Sequence, residues 1–209
     1  METFITKNLC FSYPERNEKA LSDISVKINK GEFVTVCGSS GSGKSTFLKL
    51  FKPVVAPFGT KEGEIIFEGK NIDNIPDRIL VENIGYVLQN PSAQIITDKV
   101  WHEVAFGLES LAINDVEIRK RVLDIADFFG IQHLLDKKTN ELSGGEKQIV
   151  NLASVMVMNP KVLLLDEPTS QLDKDIADTF LSAVKKVNNE LSVTVIITEH
   201  RLDSVLPIS

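Results

Sequence analysis

GSSGSGKST, residues 38–46, constrains this chain more than any other stretch. Gly38, Gly43, Lys44 and Ser45 satisfy the spacing G-x-x-x-x-G-K-[ST]. The apolar run EFVTVCG before it reads as a buried strand, and KSTFLKLFK after it reads as a helix. Strand, glycine-rich turn and helix in that order turn successive backbone N–H groups inward to form an anion nest, and the helix start adds donors and a positive dipole end. Gly38, Ser39, Ser40, Gly41, Ser42, Gly43, Lys44, Ser45 and Thr46 are therefore expected to cradle the phosphates of a nucleotide. Lys44 would lie between the outer phosphates, and the Ser45 hydroxyl would serve Mg²⁺. A flexible Ser/Gly loop is the plain alternative, and the strand–helix context argues against it.

Three further apolar runs end in chemistry-bearing residues. KVLLLDEP places Asp166 and Glu167 at the carboxyl end of a strand, where ligands of open parallel sheets bind. Asp166 is the expected partner of hydrated Mg²⁺, and Glu167 is the expected base for an attacking water. SVTVIITEH ends at Glu199 and His200, and NIGYVLQN ends at Gln89 and Asn90. His200 is predicted to reach the γ-phosphate. Gln89 is predicted to ligate Mg²⁺ or orient the water. His102 and His133 lie in helical segments without metal-ligand spacing and read as structural.

The rest of the chain supplies the frame. FITKNLCFSY, ISVKI and GEIIFEG alternate apolar and polar residues and read as strands of a largely antiparallel sheet. From Asp98 to about Leu135 the period becomes helical, with Gly130 as a helix stop. A helix follows LSGGEKQ to about Met158, and KDIADTFLSAVKKVNNE is amphipathic. The formal net charge of −6 argues against a nucleic-acid partner. No apolar run approaches the roughly 18 residues of a membrane span, and METFITKNLC lacks the pattern of a secretion signal. Cys10 and Cys37 are expected to be buried reduced thiols.

LSGGEKQIV, residues 142–150, is the second glycine-rich stretch. Read alone, Ser143 is a helix N-cap with Glu146 completing a capping box. In the order GSSGSGKST, Gln89, LSGGE, VLLLDEP, SQLD, His200, the chain resembles the ATP-binding-cassette (ABC) ATPases over essentially its whole length. The resemblance implies an α/β P-loop NTPase core with a mainly parallel sheet, an N-terminal antiparallel β subdomain and an inserted helical signature subdomain at about 91–157. It implies a single nucleotide-binding domain over 1–209, ATP and Mg²⁺ as ligands, and ATPase activity. It further implies a second cassette packed head to tail, so that Ser143, Gly144 and Gly145 of one copy cap the γ-phosphate held by Lys44 of the other. Asp173 would then sit at the seam. Tyr13 of FSYP matches the aromatic that stacks on adenine, with Phe11 as its competitor.

There are departures. Glu146 stands where glutamine is more usual, and Ile149 where arginine often follows Gln148. The family's fold continues past His200, so a truncated cassette is expected. NPSAQIITDKVWHEVAFGLESL, SQLD and TEHRLD look like the energy-coupling-factor group and the related cobalt and nickel importers. That likeness implies a vitamin or transition-metal importer. Its integral membrane coupling subunit would dock near Gln89 and Ile95 to Phe106, with the chain held on the inner, cytoplasmic face of the membrane. Trp101, Val104 and Phe106 read equally as helical core, with a few side chains exposed. The alternatives are a non-transport ABC ATPase and a catalytically weak regulatory cassette.

Overall fold

Residues 1–14 and 18–199 are described by the computed structural model. The first sheet is antiparallel: β1 (Glu2–Ser12) pairs with β2 (Leu21–Ile24), β3 (Lys27–Asn29) and β5 (Thr60–Phe67), and β6 (Lys70–Asn71) extends β5. Alternation along β1 buries Phe4 and Thr6, then Leu9 and Phe11. The change of parity falls at a register shift between Lys7 and Cys10, where Asn8 has φ 49° and a bulge resets which face points inward. Gly63 of β5 lies against this bulge, and a Cβ there would meet Asn8 O at 2.4 Å. ISVKI, expected as one strand, is broken between β2 and β3. Thr6 holds the break: its hydroxyl donates to Ile24 O and accepts from Val26 N.

The second sheet is parallel. Its order is β4 (Phe33–Cys37), β9 (Thr194–Glu199), β8 (Val162–Asp166), β7 (Ile84–Val87). β8 and β9 are buried throughout, as parallel strands covered on both faces should be. Val162, Leu164 and Ile196 face one core with the antiparallel sheet and α1 (Lys44–Leu50). Leu163, Leu165, Val195 and Ile197 face the second core, formed with the helices. β4 corrects an expectation. It is an edge strand that pairs only with β9 among the described residues, so Phe33 to Val36 are half-buried and Cys37 is exposed. The thiols are therefore not the buried pair expected, since Cys10 is also only partly covered.

α2 (Asp77–Asn83) precedes β7 and was not legible in the sequence. It is seven residues long with Leu80 as its buried residue, too short to display a helical period. Between β7 and β8 run α3 (Pro91–Gln94), α4 (Val100–Ser110), α5 (Asp115–Phe129) and α6 (Gly144–Met156). Asn114 caps α5 by accepting from Glu117 N, and Gly130 ends it at φ 69°. Val104 is fully buried in this block, Trp101 packs against it, and Phe106 is exposed. α7 (Lys174–Leu191) buries Ala177, Phe180, Leu181, Val184 and Val187 against the parallel sheet's second face. No helix among the described residues is long and apolar enough to cross a membrane.

Candidate nucleotide-binding site

The loop from β4 to α1 is held open by backbone that few residues other than glycine adopt. Gly41 has φ 78° and Gly43, the N-cap of α1, has φ 92°. A Cβ on Gly43 would lie 2.5 Å from Ala20 O. Gly43→Ala is therefore expected to cost about 1–3 kcal/mol through strain and overlap and to weaken nucleotide binding. Thermal denaturation with and without ATP checks both.

Lys44 is 6% exposed. Its ammonium donates to Gly38 O at 3.1 Å and Ser39 O at 3.0 Å and lies 3.5 Å from Glu167 Oε1. Lys44, Gly41, Ser45, Gln89, Glu167 and Tyr13 border one cleft of about 310 Å³.

Asp166, at the end of β8, is 5% exposed. Hydroxyls surround its carboxylate: Ser45 Oγ donates to Oδ1 at 2.8 Å, Thr198 Oγ1 to Oδ1 at 3.0 Å, and Tyr86 OH to Oδ2 at 3.0 Å. Burial, and then the charge of Asp166, push the Tyr86 phenol far above its ordinary range, so it stays a donor. Glu167 turns away from Asp166 because its backbone is left-handed, with φ 45°. That uncommon conformation is fixed by Glu167 N donating to Thr198 O at 3.1 Å and Thr198 Oγ1 at 2.9 Å. The Glu167 side chain then meets both Lys44 and Gln89, whose Nε2 donates to Oε2 at 3.0 Å. Thr198 and Tyr86 did not emerge from the sequence. The available signal was slight: Tyr86 is the one hydroxyl of β7, and Thr198 is one of two threonines in β9.

The residues fit magnesium of the kind that nucleotides carry. Among the described residues no group of three His, Cys, Asp or Glu converges on a metal position. Ser45 and Asp166 instead offer one hydroxyl and one carboxylate in contact, the protein share that Mg²⁺ takes when phosphates and water complete its shell. Tyr13 OH and Thr46 Oγ1 share a hydrogen bond of 2.8 Å, which fixes the phenol beside the loop. Phe11, the competing aromatic, is 1% exposed and packs edge-on against Tyr13, so it presents no open face. His200 lies outside the described residues. Its neighbour Glu199 is 2% exposed and accepts from Thr169 N at 3.2 Å and Thr169 Oγ1 at 2.8 Å.

Ser143 caps α6 with the reciprocal bonds of a capping box: Glu146 N donates to Ser143 Oγ at 3.2 Å, and Ser143 N to Glu146 Oε2 at 2.8 Å. These bonds with Ser143, backbone first, lower the Glu146 pKa. A Cβ on Gly145 would lie 2.6 Å from Ile176 Cγ2. Ser143 and Gly145 border a different cleft, with Ile149 and Ile176, and not the one that contains Lys44. Within one chain the two glycine-rich stretches are not brought together.

Sheet, loop and acidic strand end together define a P-loop nucleotide-binding cassette. Residues 21–170 match the family described as ABC transporter; the chain belongs to that family and has the fold of its ATPase cassettes. A Bacillus anthracis relative, named as a candidate ABC transporter ATP-binding protein, is 47% identical over 97% of this chain and 37% of its own length. The chain thus spans little more than a third of that relative. The energy-coupling factor transporter ATP-binding protein EcfA1 of Staphylococcus aureus is 37% identical over 97% of this chain and 74% of its own length. Among solved structures, cbiO1 of Clostridium perfringens, part of the ABC transporter complex cbiONQ, superimposes with TM-score 0.88 at 36% identity, covering 98% of this chain and 80% of that one. A dimeric cassette in a post-hydrolysis state with ADP and Pi has TM-score 0.80 at 30% identity, covering 96% and 89%.

Proposed function

We propose that the chain binds and hydrolyses ATP as the motor cassette of a membrane importer of the energy-coupling-factor type, working as a head-to-tail pair. The observation that carries the pairing is the separation of its two glycine-rich stretches. Lys44 sits in one cleft and the exposed cap at Ser143 and Gly144 sits outside it, so a second cassette is needed to close the first site.

In this mechanism Lys44 exchanges its contacts with Gly38 O, Ser39 O and Glu167 for phosphate oxygens. Ser45 and Asp166 would hold Mg²⁺, which when bound would neutralise charge on the phosphate oxygens. Tyr13 supports the adenine. Glu167 accepts the proton of the attacking water, and Gln89, already bonded to Glu167, orients that water or joins the metal shell. His200 is assigned to the γ-phosphate. Ser143, Gly144 and Gly145 of the partner cassette close the site with a hydroxyl, backbone N–H groups and a helix start. ATP thereby binds the closed pair better than the open one, and this difference in affinity is what can drive a membrane partner. Cleavage removes the bridge.

The importer assignment is supported by the likeness to EcfA1 and cbiO1. The membrane subunit would select the cargo, a vitamin or a transition-metal ion. Its docking helix would use the apolar cleft of about 270 Å³ bordered by Val81, Gly85, Phe106, Val155 and Met158, together with the exposed Ile96 beyond Gln89. The test is uptake of labelled vitamins and Co²⁺ or Ni²⁺ by cells whose only copy carries Lys44→Met, with recovery of the tagged chain from detergent-solubilised membranes. Loss of uptake of one such cargo and co-purification of an integral membrane protein are expected. Unchanged uptake of all of them would remove the importer assignment and leave the ATPase.

A further inference from the structure

α6 carries two side-chain amides in the interior, Gln148 and Asn151, both 0% exposed. Three residues apart, they share a helix face. Each donates to the carbonyl of a proline: Gln148 Nε2 to Pro168 O at 2.9 Å, and Asn151 Nδ2 to Pro91 O at 3.0 Å. A carbonyl oxygen only accepts, so the amide nitrogens must face it. The other ends are left over: Gln148 Oε1 and Asn151 Oδ1 have no hydrogen-bond partner among the described residues. A buried, unsatisfied acceptor is costly, whereas an apolar side chain of the same shape would carry no such penalty. Packing alone therefore does not account for these amides.

The carbonyls they grip do. Pro168 directly follows Glu167, and Pro91 lies two residues beyond Gln89. Glu167 and Gln89 are themselves bonded at 3.0 Å. One helix thus holds both loops that bear this pair, and the same helix begins at Ser143. Eight residues separate Ser143 from Asn151, about 12 Å of stiff helix. From the far side Glu199 anchors the same turn through Thr169.

We propose that Gln148 and Asn151 are positioning residues: they tie the alignment of Glu167 and Gln89 to the placement of the helix that begins at Ser143. The inference rests on the proposed function, in which Ser143 meets nucleotide held by a second cassette. Engagement of Ser143 sets α6, and the two amides carry that setting to the chain's own hydrolysing pair. Neither amide touches nucleotide; both act through Glu167 and Gln89.

A double-mutant cycle tests this. Gln148→Met and Asn151→Leu keep volume and remove the donor. Each is expected to slow single-turnover ATP hydrolysis by about tenfold or more while ATP affinity stays within about twofold. In a Glu167→Gln background, Gln148→Met is expected to change the residual rate by less than about twofold, because the residue it acts through is already disabled. A general folding defect would lower both backgrounds by the same factor, and that result overturns the proposal, as does an unchanged rate in both single variants. If Gln148→Met does not fold, Gln148→Ala removes the donor without added bulk, and Asn151→Leu probes the Gln89 arm separately. Wild-type turnover in Glu167→Gln would instead overturn the assigned role of Glu167, a failure that the cycle distinguishes from its own.

Discussion

Glu167→Gln is expected to lower steady-state ATP turnover by about 10²- to 10³-fold while ATP still binds, the usual size of effect when a positioned base is lost. The substitution preserves shape. Its amide oxygen can still accept from Gln89 Nε2, so the contact now 3.0 Å long survives. What disappears is the proton acceptor and the negative charge 3.5 Å from the Lys44 ammonium. Lys44 is then held by Gly38 O and Ser39 O and is easier to redirect to phosphate, so ATP affinity should equal or exceed that of the wild type. Phosphate release at saturating ATP measures the first effect, and calorimetric titration with ATP the second. Turnover at the wild-type rate would remove Glu167 from the chemistry. Binding lost along with turnover would make it a structural residue.

Lys44→Met is expected to weaken ATP binding by about 10- to 100-fold, the range for losing charge-assisted bonds to a phosphate. Lys44 is the cation among the described residues that border the cleft. Methionine retains most of the stem, so packing beside the 6% exposed Lys44 position is largely kept. The variant does more than remove an attraction, because Glu167 is left facing the phosphates without the ammonium that now lies beside it. Adding Glu167→Gln to Lys44→Met should therefore recover part of the lost affinity. Calorimetric titration of both variants with ATP provides the comparison, and equal affinity in Lys44→Met and wild type would contradict the assignment of the loop.

What the sequence discloses about this site is what lies close together in the chain. Lys44 and Ser45 sit in one short motif, and Asp166 and Glu167 at one strand end, so residue type and spacing sufficed to single them out. The bonds that orient them join distant segments. Tyr86 and Asp166 are 80 residues apart, and Thr198 and Asp166 are 32 apart; only the order of the parallel strands brings them into contact. The left-handed turn that aims Glu167 away from Asp166 is likewise imposed by Thr198 across the sheet. Periodicity identified the antiparallel strands but not the break at Thr6, because one hydroxyl serving Ile24 O and Val26 N leaves no trace in a hydrophobic pattern. EFVTVCG was expected to be buried on composition, yet among the described residues it is an edge. LSGGE was legible as a capping box, which the structure contains; the phosphate cap that family resemblance implies for it needs a second molecule and remains part of the proposal.

Sedimentation of Glu167→Gln with ATP and Mg²⁺, compared with ADP and Mg²⁺, bears most directly on whether two copies share each triphosphate. A dimer with ATP, a monomer with ADP, and no dimer when Ser143→Arg is added are the results predicted. A monomer under ATP, or a dimer that forms equally well with ADP or with Ser143→Arg, would contradict the shared site.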